Sequence, residues 1–286
     1  MNTISTYSYR RKYRLASLDQ LLRNALVAEK ICKVDRSESK YIDSPYGSQP
    51  TTVIQAICGT YATAAYTLTD DLLTVNEEFY VAEHIYDFEQ VLSNFDVIAS
   101  RMDEQNYSVA AAIDGYVLNR LCEAGTGTYS TPSGGFTTAA NIPEILSNIN
   151  AKFAGYADTY KGKYLVIEAG DTVGFMQYQM SAGFNFADSA LRNGYMGSMA
   201  GFDIHVVQDG TFVDTTYAGS SVTVTNDGHR VAGIKGITTY AAPRGIQYEE
   251  KSVSAKTGKE MVTFGYIGFA AWVPKRTLTI DITVTA

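Results

Sequence analysis

An α+β fold is predicted for this chain by three features of its pattern. One long stretch, Asp87 to Ala124, has helical periodicity and no proline to stop it. Two blocks rich in β-branched and aromatic residues, TTVIQAICGTYATAAYTLT from residue 51 and MVTFGYIGFAAWVPKRTLTIDITV from residue 261, read as strands. Between them KYLVIEA, a short helical pattern, a glycine-rich turn and FDIHVV give strand, helix, turn and strand, the unit of an α/β layer.

In chain order, residues 1–50 read as an arm. Leu18, Leu21, Leu22, Ala25 and Leu26 predict an amphipathic helix over Leu15 to Val34 with Ser17 as its cap, and SPYGSQP breaks it. Residues 51–84 predict a long hairpin, whose second strand, EEFYVAEHIY, alternates less cleanly. With so weak an apolar face of its own, the hairpin must lean on something other than its own core. The long helical stretch places Phe88, Val91, Leu92, Phe95, Ile98, Ala99 and Met102 on one face, then resumes with Val109, Ile113, Val117 and Leu121 and stops at Gly125. Unbroken it would be about 50 Å long, a spine for a flat or elongated subunit, with room for a kink at Gln105 to Tyr107 where the stripe lapses. A glycine-rich loop, GTGTYSTPSGG, leads to a helix started by Asn141 and Pro143. KYLVIEA is a buried strand, Val173, Met176, Gln177 and Met180 mark a short helix, and three glycines turn the chain into the strand Phe202 to Val207. The polar, β-prone residues 210–239 predict a hairpin with Asn226, Asp227 and Gly228 at a turn.

Composition narrows the function classes. At 286 residues, 45% apolar content and a mean hydropathy of −0.10, the chain can bury a sizeable core and is expected to be soluble. The absence of any run of 18 apolar residues and of a signal-peptide pattern at the N-terminus predicts an intracellular protein without a membrane span. Three cysteines, Cys32, Cys58 and Cys122, with no C-x-x-C spacing indicate neither a disulfide framework nor zinc. The 21 tyrosines suit subunit contacts, where an apolar body meets a polar rim. Charge is unevenly spread: residues 1–40 hold nine Lys or Arg against four acids, whereas residues 41–100 hold nine acids and no Lys or Arg. The basic arm, above all Arg10, Arg11, Lys12 and Arg14, meets either the phosphates of a nucleic acid or an acidic surface on its own or a neighbouring chain.

Catalytic chemistry finds no pattern. Asp203 and His205 share one face of a strand, yet no G-x-S-x-G elbow, triad partner or activated cysteine accompanies them, so they read as ordinary strand residues. The glycine-rich loop follows a helix and lacks the lysine of a phosphate cradle. No stretch gathers enough His, Cys or carboxylate groups for a metal. Asn106-Tyr107-Ser108 is a chance glycosylation match inside a helix. No catalytic residue, cofactor or metal is assigned.

One segment carries a resemblance. KYLVIEAGDTVGFMQY, followed by Gly194, Gly197, Gly201, Phe202 and Val206 in the order G-x-x-G-x-x-x-G-F-D-I-H-V-V, resembles the tailed-bacteriophage major capsid proteins of the HK97-type fold. The spine end AAIDGYVLNRLCEAGTGT and the closing strands from Met261 are similar to that family too, so the likeness covers roughly residues 60–208 and 245–286. The resemblance implies an N-terminal arm at 1–50, an extended E-loop hairpin at 51–84, a peripheral domain of 85–135 with the spine helix and 245–286 as its C-terminal strands, and an axial domain at 136–244. It further implies a non-enzymatic shell protein whose copies join as pentamers and hexamers around double-stranded DNA held by nonspecific contact. Partners would be the chain itself, a separate scaffolding protein and a portal, with no membrane; assembly would take place in the host cytoplasm and the product would be the virion capsid. The family's lysine-to-asparagine cross-link is not expected, because no lysine lies between Lys40 and Lys152. Two other readings stay open: an encapsulin-type compartment shell enclosing cargo enzymes, and a small α/β hydrolase or binding protein.

Overall fold

A computed structural model describes residues 27–47, 68–86, 97–153, 162–181, 195–217, 222–252 and 258–285. The chain opens with one helical turn, α1 (Ala28–Ile31), strand β1 (Lys33–Asp35), and an antiparallel pair, β2 (Tyr41–Gly47) and β3 (Leu68–Thr74). Strand β4 (Glu77–Ile85) precedes the long helix α2 (Val97–Ala124), after which come β5 (Gly127–Ser130), two 3-10 turns, α3 (Ile142–Lys152), β6 (Lys163–Glu168) and α4 (Thr172–Ser181). The remainder is β: β7 (Tyr195–Met199), β8 (Phe202–Val207), β9 (Asp214–Thr216), β10 (Thr223–Thr225), β11 (His229–Ile234), β12 (Thr238–Ala241), β13 (Ile246–Ser252), β14 (Lys259–Ala271) and β15 (Thr279–Thr283).

Two sheets share one helix. The first has six strands in the order β5-β15-β11-β6-β8-β7. Leu165 and Ile167 of β6 point to one face with Phe202, Ile204, Ala232, Ile280 and Ile282, under Ile142, Ile145 and Ile149 of α3, Phe153 just past its end and Phe175 of α4. Tyr164 and Val166 point to the other face with Val207 and Val231, against Val117, Leu118, Leu121 and Cys122 of α2. Cover on both faces is why KYLVIE reads as a continuous apolar run rather than an alternation. Helix α4 closes tightly on the loop before α3: a Cβ on Gly174 would lie 2.0 Å from the carbonyl oxygen of Phe136, so only glycine fits.

The second sheet is built on the thirteen-residue β14. Its first half is flanked by β13 on one side and β4 on the other, and its last four residues pair with β12, which carries β1 in parallel. The N-terminal half of α2 covers the inner face of this sheet, where Gln105 fills the gap in the apolar stripe. Buried among apolar groups, it accepts a hydrogen bond from Thr263 Oγ1 of β14 (2.9 Å) and donates to Glu83 of β4 (3.0 Å). Both polar ends of Gln105 are thereby satisfied, so helix α2 is continuous through residues 105–107 and the kink that the lapse allowed does not occur.

Other sequence expectations need correction. Of the expected helix Leu15 to Val34, only the end lies in the described residues; Ala28–Ile31 is helical, and Lys33–Asp35 is a strand paired with Thr239–Ala241. The hairpin is displaced: its described arms are Tyr41–Gly47 and Leu68–Thr74, not 51–84, and the expected second arm Glu77–Ile85 belongs to the β14 sheet. The glycine-rich turn before Phe202 contains a strand, Tyr195–Met199, joined to β8 by Ala200 and Gly201 at φ 51 and 83, the two left-handed residues of a tight hairpin turn. Strand pairing also crosses the expected divisions, since β15 of the C-terminal stretch joins the six-stranded sheet while β12, grouped with residues 136–244, joins β14. Asn226, Asp227 and Gly228 do form a turn, with Gly228 at φ 73, between β10 and β11.

Candidate assembly surfaces

The β2-β3 pair is a two-stranded ribbon standing outside both sheets. Register puts Tyr41 opposite Thr74, Asp43 opposite Leu72, Pro45 opposite Asp70 and Gly47 opposite Leu68. Side chains alternate along a strand, so these residues share one face, and along it Tyr41, Asp43, Pro45, Leu68, Asp70 and Leu72 are all exposed. Three large apolar residues stand in solvent there: Tyr41 is 56% exposed, Leu68 57% and Leu72 52%. The opposite face is anchored by fully buried Leu73, and the ribbon's base is tied down by Val75 N–H donating to the Lys40 carbonyl and Asn76 N–H to that of Ile267. A ribbon of two strands buries too little to be rigid by itself.

Beside this base the chain enters through a buried carboxylate. Asp114 of α2 accepts hydrogen bonds through one oxygen from the backbone N–H of Val27 (2.9 Å) and of Ala28 (2.6 Å). Burial pushes its carboxyl up to about 6, against the downward pull of the two N–H groups and of Lys30. The two bonds fix Val27 and Ala28 on helix α2. Arg10, Arg11, Lys12 and Arg14 lie outside the described residues.

Five residues further along α2, Asn119 is a polar knot. Its amide donates to the carbonyls of Gly115 and Thr211, while its oxygen accepts from Val213 N–H (3.2 Å) and Asn226 Nδ2 (3.1 Å), so the β9-β10 hairpin is laced onto the helix. A buried ion cluster holds the neighbouring loop. Arg230 pairs with Asp171 (2.5 Å) and Glu168 (2.9 Å), and Glu168 also accepts from the N–H groups of Gly210 and Phe212.

Asp203 and His205 lie on one face of β8 as the alternation requires, but each is held by packing. Asp203 forms an ion pair with Lys235 (2.6 Å), and His205 is 4% exposed, its imidazole pushed down to about 4 by burial and by Lys235 and Lys30. Cys32 and Cys122 are buried free thiols, both pushed up by burial, Cys32 to about 12. Among the described residues no His, Cys and carboxylate groups converge as a metal site, and no helix is long and apolar enough to cross a membrane.

Sequence reasoning missed two of these features. The exposed ribbon face was hidden because SPYG reads as a breaker, although a strand with a free edge tolerates the missing N–H of Pro45. Asp114 gave no signal, because its partners lie 87 and 86 residues away.

No family model matches the chain, and no curated protein matches it in sequence. Solved structures do. The capsid of cyanophage P-SCSP1u superposes with a TM-score of 0.72 at 13% identity, over 92% of this chain and 89% of that one. The mature capsid of bacteriophage PhiM1 gives 0.68 at 12% identity over 92% and 86%, and the capsid of a native GTA particle 0.67 at 13% over 93% and 92%. With one spine helix serving two sheets, a ribbon that pairs with neither, and matches of this extent to capsid structures, the chain has the HK97-type fold of phage capsid proteins.

Proposed function

We propose that this chain is a major capsid protein whose copies join as pentamers and hexamers into an icosahedral shell around double-stranded DNA. The observation that carries the reading is the exposed ribbon on a capsid fold: a two-stranded element with an apolar face in solvent makes physical sense when another chain covers it. In this reading the β2-β3 ribbon is the E-loop, and α2 with the β14 sheet forms the peripheral domain. The six-stranded sheet with α3 and α4 is the axial domain, now including β15, and residues 1–26 are the arm. The work is geometric, not catalytic. A separate scaffolding protein and a portal complete the assembly, which takes place in the host cytoplasm before the shell becomes part of the virion.

The encapsulin reading keeps the fold and changes the cargo. The basic arm favours nucleic acid as the content, since a shell around enzymes has no use for a phosphate-neutralising segment. Expression of the chain with and without a candidate scaffold, followed by sedimentation and negative-stain microscopy, tests both readings. Closed shells, rings or sheets of many copies are the expected result; nucleic acid inside favours the viral shell, packed protein favours the compartment, and a monomer under all conditions overturns the shell reading.

A further inference from the structure

A cavity of about 270 Å³ lies between α1, α2 and the strands β12 to β14, with Asp114 in its wall. Asp114 is 9% exposed, and both hydrogen bonds it accepts, from Val27 and Ala28 N–H, end on the same oxygen, Oδ1. Among the described residues Oδ2 accepts none and no cation pairs with the group; Lys30 acts on it without forming an ion pair. A buried carboxylate left in this way is stabilised by any cation that can reach it. Asp114 also borders a second cavity of about 460 Å³, but its bond to Ala28, which lines the first and not the second, turns the carboxylate toward the first. We infer that the first cavity binds a small primary alkylamine, the ammonium group donating to Asp114 Oδ2. The site lies within one chain, so the inference stands apart from the capsid reading.

The rest of the wall selects the kind of cation. Ala110, Ile113, Ile246 and Ile267 line the cavity with aliphatic surface, and Tyr240 and Tyr266 add aromatic rings. A hard metal ion takes several oxygen ligands, which such a wall does not supply, whereas an aliphatic stem lies well on it and tyrosine rings favour a nearby ammonium. Glu29 and Arg36 also line the cavity, but they pair with each other at 3.5 Å, and Tyr240 Oη donates to Glu29 at 3.2 Å, so the carboxylate of Asp114 sets the sign of the ligand. Burial has pushed that carboxyl up to about 6, with Lys30 pulling it down and Glu29 pushing it up. Tyr240 and Cys32 feel the same carboxylate, and burial raises both, so they stay neutral beside it. Below about pH 6 the carboxyl holds its own proton and has no charge to offer, so amine binding weakens as pH falls.

Calorimetric titration of the soluble full-length subunit with n-butylamine, at fixed ionic strength, tests the inference. Saturable one-to-one binding is expected near neutral pH, roughly ten-fold weaker at about pH 5, one unit below the value of the carboxyl. Tetramethylammonium, which carries the same charge without an N–H donor, should not compete. Asp114→Asn keeps an acceptor for Val27 and Ala28 and should lose the site, and so should Ala110→Leu, which fills the cavity and leaves the carboxylate in place. Ala112→Leu, on the second cavity, should bind as the unaltered chain does. Melting without amine verifies folding of each variant, and Ala110→Leu with the pH profile decides the matter if Asp114→Asn does not fold. The inference is overturned by the absence of saturable binding, by equal binding of tetramethylammonium, or by binding that survives in Asp114→Asn. Loss in Ala112→Leu with retention in Ala110→Leu overturns it as well, because the amine then occupies the second cavity.

Discussion

Asp114 and His205 titrate in opposite senses, so acid acts on their contributions to stability in opposite directions. The carboxyl of Asp114, raised to about 6 from 3.8, takes up its proton earlier in the folded than in the unfolded chain, so its contribution to stability is full below pH 3.8 and is lost as pH rises through 6. Lys30 and Glu29 of the facing turn act on it with opposite sign. His205, lowered to about 4 from 6.5 and facing Lys235, Lys30 and Asp203, contributes stability that is present above pH 6.5 and is lost as pH falls through 4. Shifts of about two units are each worth about 3 kcal/mol, so the two contributions largely offset between pH 6 and 4. Carboxylates held low, such as Glu83 beside Arg101, add their own loss on acidification, so each effect is read as a difference in urea midpoint from the unaltered chain. Asp114→Asn, which keeps the acceptor oxygen, should expose a loss of stability on acidification, and His205→Gln a gain; a flat profile in both variants refutes the account. Arg230 offers a simpler case. Arg230→Met would leave Glu168 and Asp171 buried without their cation and should cost about 3–5 kcal/mol in urea unfolding. None of these couplings was legible in sequence: the shared face of Asp203 and His205 follows from strand alternation, but their environment depends on Lys235 and on a segment near residue 30, far along the chain.

At the scale of elements, what could be read was whatever a local period encodes. The helix starting after Asn141, the strands Lys163–Glu168 and Phe202–Val207 and the body of α2 follow from apolar spacing and from residues that start or stop helices, and they stand where the pattern puts them. The hairpin did not. Glu77–Ile85 alternates as a strand, but its partner is Lys259–Ile267, and no local rule names a partner more than 170 residues away. Residues 51–67, the β-prone block expected to form one arm, fall outside the described residues, while SPYG, which looks like a turn, lies within β2. The ribbon's sparse anchorage makes a prediction at this scale. In hydrogen-exchange mass spectrometry, peptides covering 41–47 and 68–74 should exchange quickly in the soluble subunit and become protected in the assembled shell, whereas β6 and β11 should be protected in both. Ribbon peptides that are equally protected in the free subunit would mean that the ribbon packs on its own body.

For the whole molecule, an α+β fold built on one long helix was legible because burial on both faces of the six-stranded sheet leaves its strands unmistakably apolar, and because so long a helix has few architectures to serve. The assignment of strands to sheets was not, since it depends on which distant segments pair. Identities of 12–13% with the matched capsids fit this: patterns of burial persist where individual residues do not. One further consequence lies in the order β5-β15-β11, which sets the last described strand between two strands made long before it. During synthesis Gly127–Ser130 and His229–Ile234 emerge first and have no direct contact to make until Thr279–Thr283 follows and bridges them. The sheet therefore closes only after Thr279–Thr283 has been made, and such distant pairing is intrinsically slow. A chain stopped after residue 278 should show no cooperative unfolding transition and should pellet as aggregate. Quality control of this kind is built into strand order: a ribosome that stalls before Thr279 releases a chain whose six-stranded sheet is not closed.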